Sequence, residues 1–191
     1  VAKGTDRFLG AFIQDISGLP ASVCAVLTSS VTIGMLCGLV KGKRFAGLDS
    51  VTQKMKMLKG NYRLAIGSTL GLAACGMTAV RNAVGNPIGV AGLVTLFSGI
   101  LTSAVAFQFY QIPNLVSSTS FASEDAPVAL SLIDAVGFFA TAQLFTAFTS
   151  ILGKLGWSAS WGFFAMVFGV GSTLMTNAIK PVLVESKRRT A

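Results

Sequence analysis

No charged residue occurs from Asn82 to Ser123. In a soluble domain about a quarter of the residues are charged, so only a segment surrounded by lipid or protein sustains such a run. The last third of the chain repeats the pattern. Segment 127–152 carries one acid, Asp134, and one amide, Gln143, while 159–183 has no charge until Lys180. Each is long enough to cross a bilayer, which takes about 20 residues at 1.5 Å each. Between them lies Gly153-Lys154-Leu155-Gly156-Trp157-Ser158, whose lysine and tryptophan suit a membrane–water interface. This pattern predicts a transmembrane hairpin. Composition agrees, with 52% hydrophobic residues, 12% charged and a mean hydropathy of +0.70.

The fold class expected is therefore an all-α, polytopic membrane protein, a single domain over 1–191. Five spans are predicted, at about 21–40, 64–81, 88–112, 127–152 and 159–183. Phe8, Leu9, Phe12, Ile13 and Ile16 recur at three- and four-residue intervals, predicting a short amphipathic N-terminal helix at the interface. Gly34 and Gly38, and again Gly67 and Gly71, stand four apart as close-packing surfaces for neighbouring helices. Cys24, Cys37 and Cys75 fall inside apolar segments and are expected as buried free thiols. The chain opens on Val1 rather than Met, as it would after loss of a targeting segment or with an upstream stretch left out.

Segment 41–63 changes character. Lys41, Lys43, Arg44, Lys54, Lys56, Lys59 and Arg63 face only Asp49. It reads as a solvated basic loop or surface helix, with Lys54, Lys56 and Lys59 as candidate contacts for anionic lipid or an acidic partner. With five crossings, this loop, the acidic 113–126 and the basic tail from Lys180 share one side, while Arg81 and Lys154 lie on the other. Positive charge then concentrates on one face, expected to be cytosolic, stromal or matrix. That bias accounts for the net charge of +8 without nucleic acid.

The chain has no histidine and no CxxC spacing. A His-based triad, a zinc site and histidine ligation of haem or chlorophyll are thereby excluded. There is also no nucleophile–base pair, phosphate-binding glycine loop or pair of catalytic carboxylates, so no enzyme is expected. Among the amides in or near apolar helices, Gln108, Gln111, Gln143 and Asn177 serve either as interhelical hydrogen bonders or as oxygen ligands to the magnesium of a chlorophyll, a hard cation. Gln108, Gln143 and Asn177 are the pigment-ligand candidates, with chlorophyll, carotenoid and lipids as the cofactors they would imply. Asp134 is an intramembrane acid, which is a functional candidate by default. Arg81 sits at a helix end.

Several stretches resemble the C-terminal half of the major facilitator superfamily. Phe8-Leu9 through Ile16-Ser17-Gly18-Leu19-Pro20-Ala21 resembles the lead into its eighth helix. Gly34-Met35-Leu36-Cys37-Gly38 and the basic segment after it are similar to that helix and its cytoplasmic connection. Asn114 to Ala135 looks like the passage from the tenth to the eleventh helix, and Gly156-Trp157-Ser158 like the corner before the twelfth. The departures carry weight. Where the family has an acid–arginine signature in its basic loop, this chain reads Gly38-Leu39-Val40-Lys41-Gly42-Lys43-Arg44. The family's N-terminal half has no counterpart here either, and transport in such proteins needs two halves rocking about a midplane site.

Two functions are therefore expected. One is a non-catalytic accessory or scaffold subunit of a larger organellar membrane complex, with a thylakoid photosystem as the preferred host and the mitochondrial inner membrane as the other location. Its partners would be other membrane subunits and anionic lipid. The other is a solute carrier that works with a second half or as a dimer, using Asp134 and Arg81 on its substrate.

Overall fold

The structure is a computed structural model. It describes residues 2–120 and 124–190, with side chains placed for 8–109, 112–113, 115–116 and 124–184. The side chain of Gln111 and those of the tail cations Lys187, Arg188 and Arg189 lie outside the described residues. Seven helices follow in order: α1 (Ala2–Ser17), α2 (Ala21–Leu27), α3 (Ser30–Ala46), α4 (Val51–Cys75), α5 (Thr78–Val84), α6 (Pro87–Ser120) and α7 (Ala126–Thr190). Among the described residues there is no strand, as the apolar periodicity requires.

Three helical stretches are long and apolar enough to cross a membrane: Ala21–Ala46, Pro87–Phe109 and Ala126–Val184. A fourth is counted if α4 and α5 are taken as one broken span. This is fewer than the five expected. The difference lies in α7, where 59 residues form one nearly unbroken helical stretch with no intervening loop. Its only non-helical residue is Gly156, at φ 79° and ψ −175°, a conformation essentially reserved for glycine. Around it the chain folds back. Phe148 stacks on Phe164 at 5.0 Å, and the Ser160 hydroxyl donates to the Phe148 carbonyl at 3.4 Å.

Helix α6 is the centre of the bundle. Of its most apolar stretch 61% is buried within the protein, against 6% for the most apolar stretch inside Ala126–Val184. Glycines let α3 lie directly on it. A Cβ on Gly34 would collide with the Gly99 carbonyl, and one on Gly38 would stand 2.6 Å from the Ser103 carbonyl. The second glycine pair is only half used: Gly71 receives the Phe97 ring, whereas Gly67 faces open space. Two clusters of buried side chains result. One gathers Phe12, Ile13, Leu72, Val94, Phe148 and Trp161 near the Gly156 corner. The other gathers Phe45, Leu58, Tyr62, Phe107, Ile179 and Leu183 at the opposite end. The 41–63 segment and the C-terminal part of α7 thus share one end of the bundle.

Several expectations are corrected. Of the two readings of segment 41–63, a loop or a surface helix, the loop holds only for residues 47–50, because α3 runs to Ala46 and α4 starts at Val51. The segment's cations sit on the last turns of α3 and the first half of α4, where Phe45, Leu58 and Tyr62 are buried. The second span does not run straight to Arg81: α4 ends at Cys75 and α5 leaves at 83°, where Gly76 abuts the Ser158 backbone. Helix α6 passes through Pro113 to Ser120 instead of stopping before the proline. Finally, α1 does not lay its apolar face on lipid. Leu9, Phe12 and Ile13 are fully buried, with Phe12 at 4.9 Å from Trp157 and 5.7 Å from Trp161. Cys24 and Cys75 are buried as expected, but Cys37 is exposed.

Candidate functional site

At the basic end, the three lysines stand on a helix, and that disperses them. Residues two or five apart on a helix do not share a face, which separates Lys54 from both Lys56 and Lys59. Lys54 turns onto the Phe45 ring, 5.8 Å from its centroid. Lys59 lines a small cavity of about 210 Å³ with Tyr62, Arg63, Ser172 and Thr176. Lys56 alone reaches the cleft between α3 and α4, of about 680 Å³, where Lys41 and Arg44 join it. Two polar links tie this end together. Lys41 Nζ donates to Ser103 Oγ at 2.9 Å, and the buried Asn61 donates its amide N–H to the Ala104 carbonyl at 2.8 Å. Asn61 was not singled out in the sequence, and Lys41 only as one cation of the basic segment. The signal for Lys41 was its place one turn beyond Gly38, on the flank of the face that meets α6.

The three amides do not converge. Gln108 lines an apolar cavity of about 400 Å³ between α6 and the two arms of α7, with Phe109, Ile112, Ile133, Phe168 and Met175. Its Nε2 is buried and, among the described residues, without a hydrogen-bond partner. A buried donor left unpaired costs about 1–3 kcal/mol, so the cavity suits an apolar ligand that carries an acceptor oxygen. Gln143 and Asn177 are exposed on the outside of α7. Of the three, then, only Gln108 faces a cavity within this chain. Among the described residues no group of three or more His, Cys, Asp or Glu side chains stands ready for a metal ion.

Asp134 and Arg81 are far apart. Arg81 lines a cavity with Pro87 and Val90 at the start of α6, donates to Thr78 Oγ1 at 3.0 Å, and keeps a buried Nε that is unpaired among the described residues. Asp134 lies one turn before Phe138, whose ring meets Phe109 at 6.0 Å. Along α6, Val90 and Phe109 are separated by about 28 Å at 1.5 Å per residue. The two groups therefore sit towards opposite ends of the bundle. Asp134 is half-buried and, among the described residues, has no hydrogen-bond or ion-pair partner.

Much of the perimeter is exposed and apolar, including Val26, Ile33, Val40, Leu96, Phe139 and Val170. An all-helical chain with such a surface and three to four helices of spanning length has the make-up of an integral membrane protein. Comparison with protein-family models, with curated proteins and with solved structures finds no match for this chain.

Proposed function

We propose that the chain is a non-catalytic accessory subunit, a scaffold within a larger organellar membrane complex, built like one half of a major facilitator transporter. In this reading it crosses the membrane five times, through Ala21–Ala46, α4, α6 and each arm of α7. The observation that carries it is the first arm of α7. Leu132, Val136, Phe138 and Phe139 are more than half exposed there, and neither Asp134 nor Gln143 has a partner among the described residues. The hydroxyls of the same arm are satisfied within the helix, Ser131 on Pro127, Thr141 on Gly137 and Thr146 on Ala142. An unpartnered carboxyl and amide on an uncovered apolar arm call for polar groups from a neighbouring protein.

A thylakoid photosystem is the preferred host. Chlorophyll or carotenoid would lie against Gln108, or between subunits at Gln143 and Asn177; the mitochondrial inner membrane is the other location. The carrier reading would need Asp134 and Arg81 at one midplane site, and their placement at opposite ends weighs against it. Mild-detergent purification from the native membrane tests the proposal. A scaffold co-migrates with a large complex that absorbs visible light. A chain that runs alone and supports solute flux in liposomes would overturn it.

A further inference from the structure

The α3–α4 cleft does not end at its basic mouth. A second cavity, of about 470 Å³, runs between α3, α4 and α6 and shares both Lys41 and Leu64 with the first. The two differ in character. The mouth carries Lys41, Arg44 and Lys56. The inner cleft is walled by Ile33, Cys37, Leu96 and Ile100, floored by Gly34 and Gly99 where the helices touch, and reaches Ser30. No acid lines either cavity. From Lys41 to Ser30 the cleft follows α3 for about 16 Å, close to the thickness of one leaflet of a ~30 Å hydrocarbon core.

We infer that this continuous groove binds one anionic diacyl lipid, its charged headgroup among Lys41, Arg44 and Lys56 and an acyl chain in the cleft between α3 and α6. Charge complementarity selects the headgroup. Lys41 is already oriented by Ser103 Oγ at 2.9 Å, so its ammonium stands at the junction of polar mouth and apolar cleft. The exposed flank of α3, with Ile33 62% and Val40 71% exposed, leaves the groove open sideways, as a lipid entering from the membrane plane requires. The inference goes beyond the scaffold reading, since neither cavity involves α7 and the site does not depend on any host complex.

Native mass spectrometry of the purified full chain in neutral detergent tests it, with phosphatidylglycerol, phosphatidylcholine of the same chains, and glycerol phosphate as probes. Phosphatidylglycerol should bind one to one and at least about tenfold more tightly than phosphatidylcholine, since headgroup charge is what the mouth selects. Each cation removed should cost about fivefold, so Lys41→Gln, Arg44→Gln and Lys56→Gln together should cost roughly a hundredfold. Filling the cleft with Cys37→Trp should weaken phosphatidylglycerol and leave glycerol phosphate unchanged. Lys43→Gln with Lys180→Gln, both exposed and outside the groove, should leave the lipid bound. If the triple variant does not fold, the exposed Lys56→Gln alone still reports through its fivefold loss. Equal binding of the two lipids, an equal loss in the Lys43/Lys180 control, or glycerol phosphate binding as tightly as the lipid would each overturn the proposal.

Discussion

The indole N–H of Trp157 donates to the carboxylate of Asp15 at 2.9 Å, joining residues 142 positions apart. This bond closes α1 onto the corner of α7, above the ring cluster of Phe12, Phe148 and Trp161. Because the pair is exposed, its coupling should be modest, about 0.5–1.5 kcal/mol. A double-mutant cycle with Asp15→Ala and Trp157→Phe, read as unfolding in detergent, should return a value in that range. Zero coupling would mean that ring packing alone holds α1.

The two glycine pairs should behave in opposite ways. Gly38→Leu has to push α3 off the Ser103 carbonyl and Ala106, and overpacking of this kind costs about 1–3 kcal/mol. Gly67→Ala enters open space and should be neutral or stabilising by about 0.5–1 kcal/mol. Thermal unfolding of the two variants side by side should show the contrast.

Gly156→Ala should open the hairpin. At φ 79° an alanine is strained by about 1–3 kcal/mol. The two tryptophans of the chain, Trp157 and Trp161, lie directly beyond that residue. Their emission should shift to longer wavelength as Trp161 leaves the Phe148 and Phe164 rings.

Impermeant thiol labelling in a background free of Cys24, Cys37 and Cys75 checks the sidedness. Lys59→Cys and Arg188→Cys should react from one face and Lys154→Cys from the other. Labelling of Lys59→Cys and Arg188→Cys from opposite faces would contradict a bundle in which Tyr62 and Leu183 belong to one buried cluster.

Asp134 separates a static contact from a titrating one. A carboxyl in lipid costs about 3 kcal/mol or more, so it needs a partner, a proton or a polar cavity. In a scaffold Asp134→Asn should keep complex assembly nearly intact, whereas Asp134→Leu should weaken it. If Asp134→Asn assembled normally but abolished a coupled flux, the acid would be a transport group.

Much of the architecture was legible because lipid-scale apolar runs and small-residue spacing act locally. Gly34 and Gly38 predicted a close contact, and Gly156-Trp157 predicted the corner. What was hidden depended on partners distant in the chain. The amphipathic face of α1 reads the same whether it meets lipid or Phe148 and Trp161, so its burial could not be deduced from periodicity. A run of lysines after a span looks like a loop until the helix phase places Lys54, Lys56 and Lys59 in three different surroundings. The cleft at Lys41 is formed between α3 and α4, and only their pairing brings Lys56 to it.

The 83° turn after Cys75 has a consequence for the chain's depth in a membrane. At 25 residues, α4 is about 37 Å long, more than the ~30 Å hydrocarbon core needs. In the proposed five-span arrangement, with α5 set across its end, α4 could not slide along the membrane normal without dragging Arg81 and Asn82 into the acyl layer. The Gly76 elbow would then work as a flange. Bilayers of different thickness must be met by tilt of α4 or at its other end, where Lys56 and Lys59 would rise or sink relative to the headgroups while the elbow holds its level.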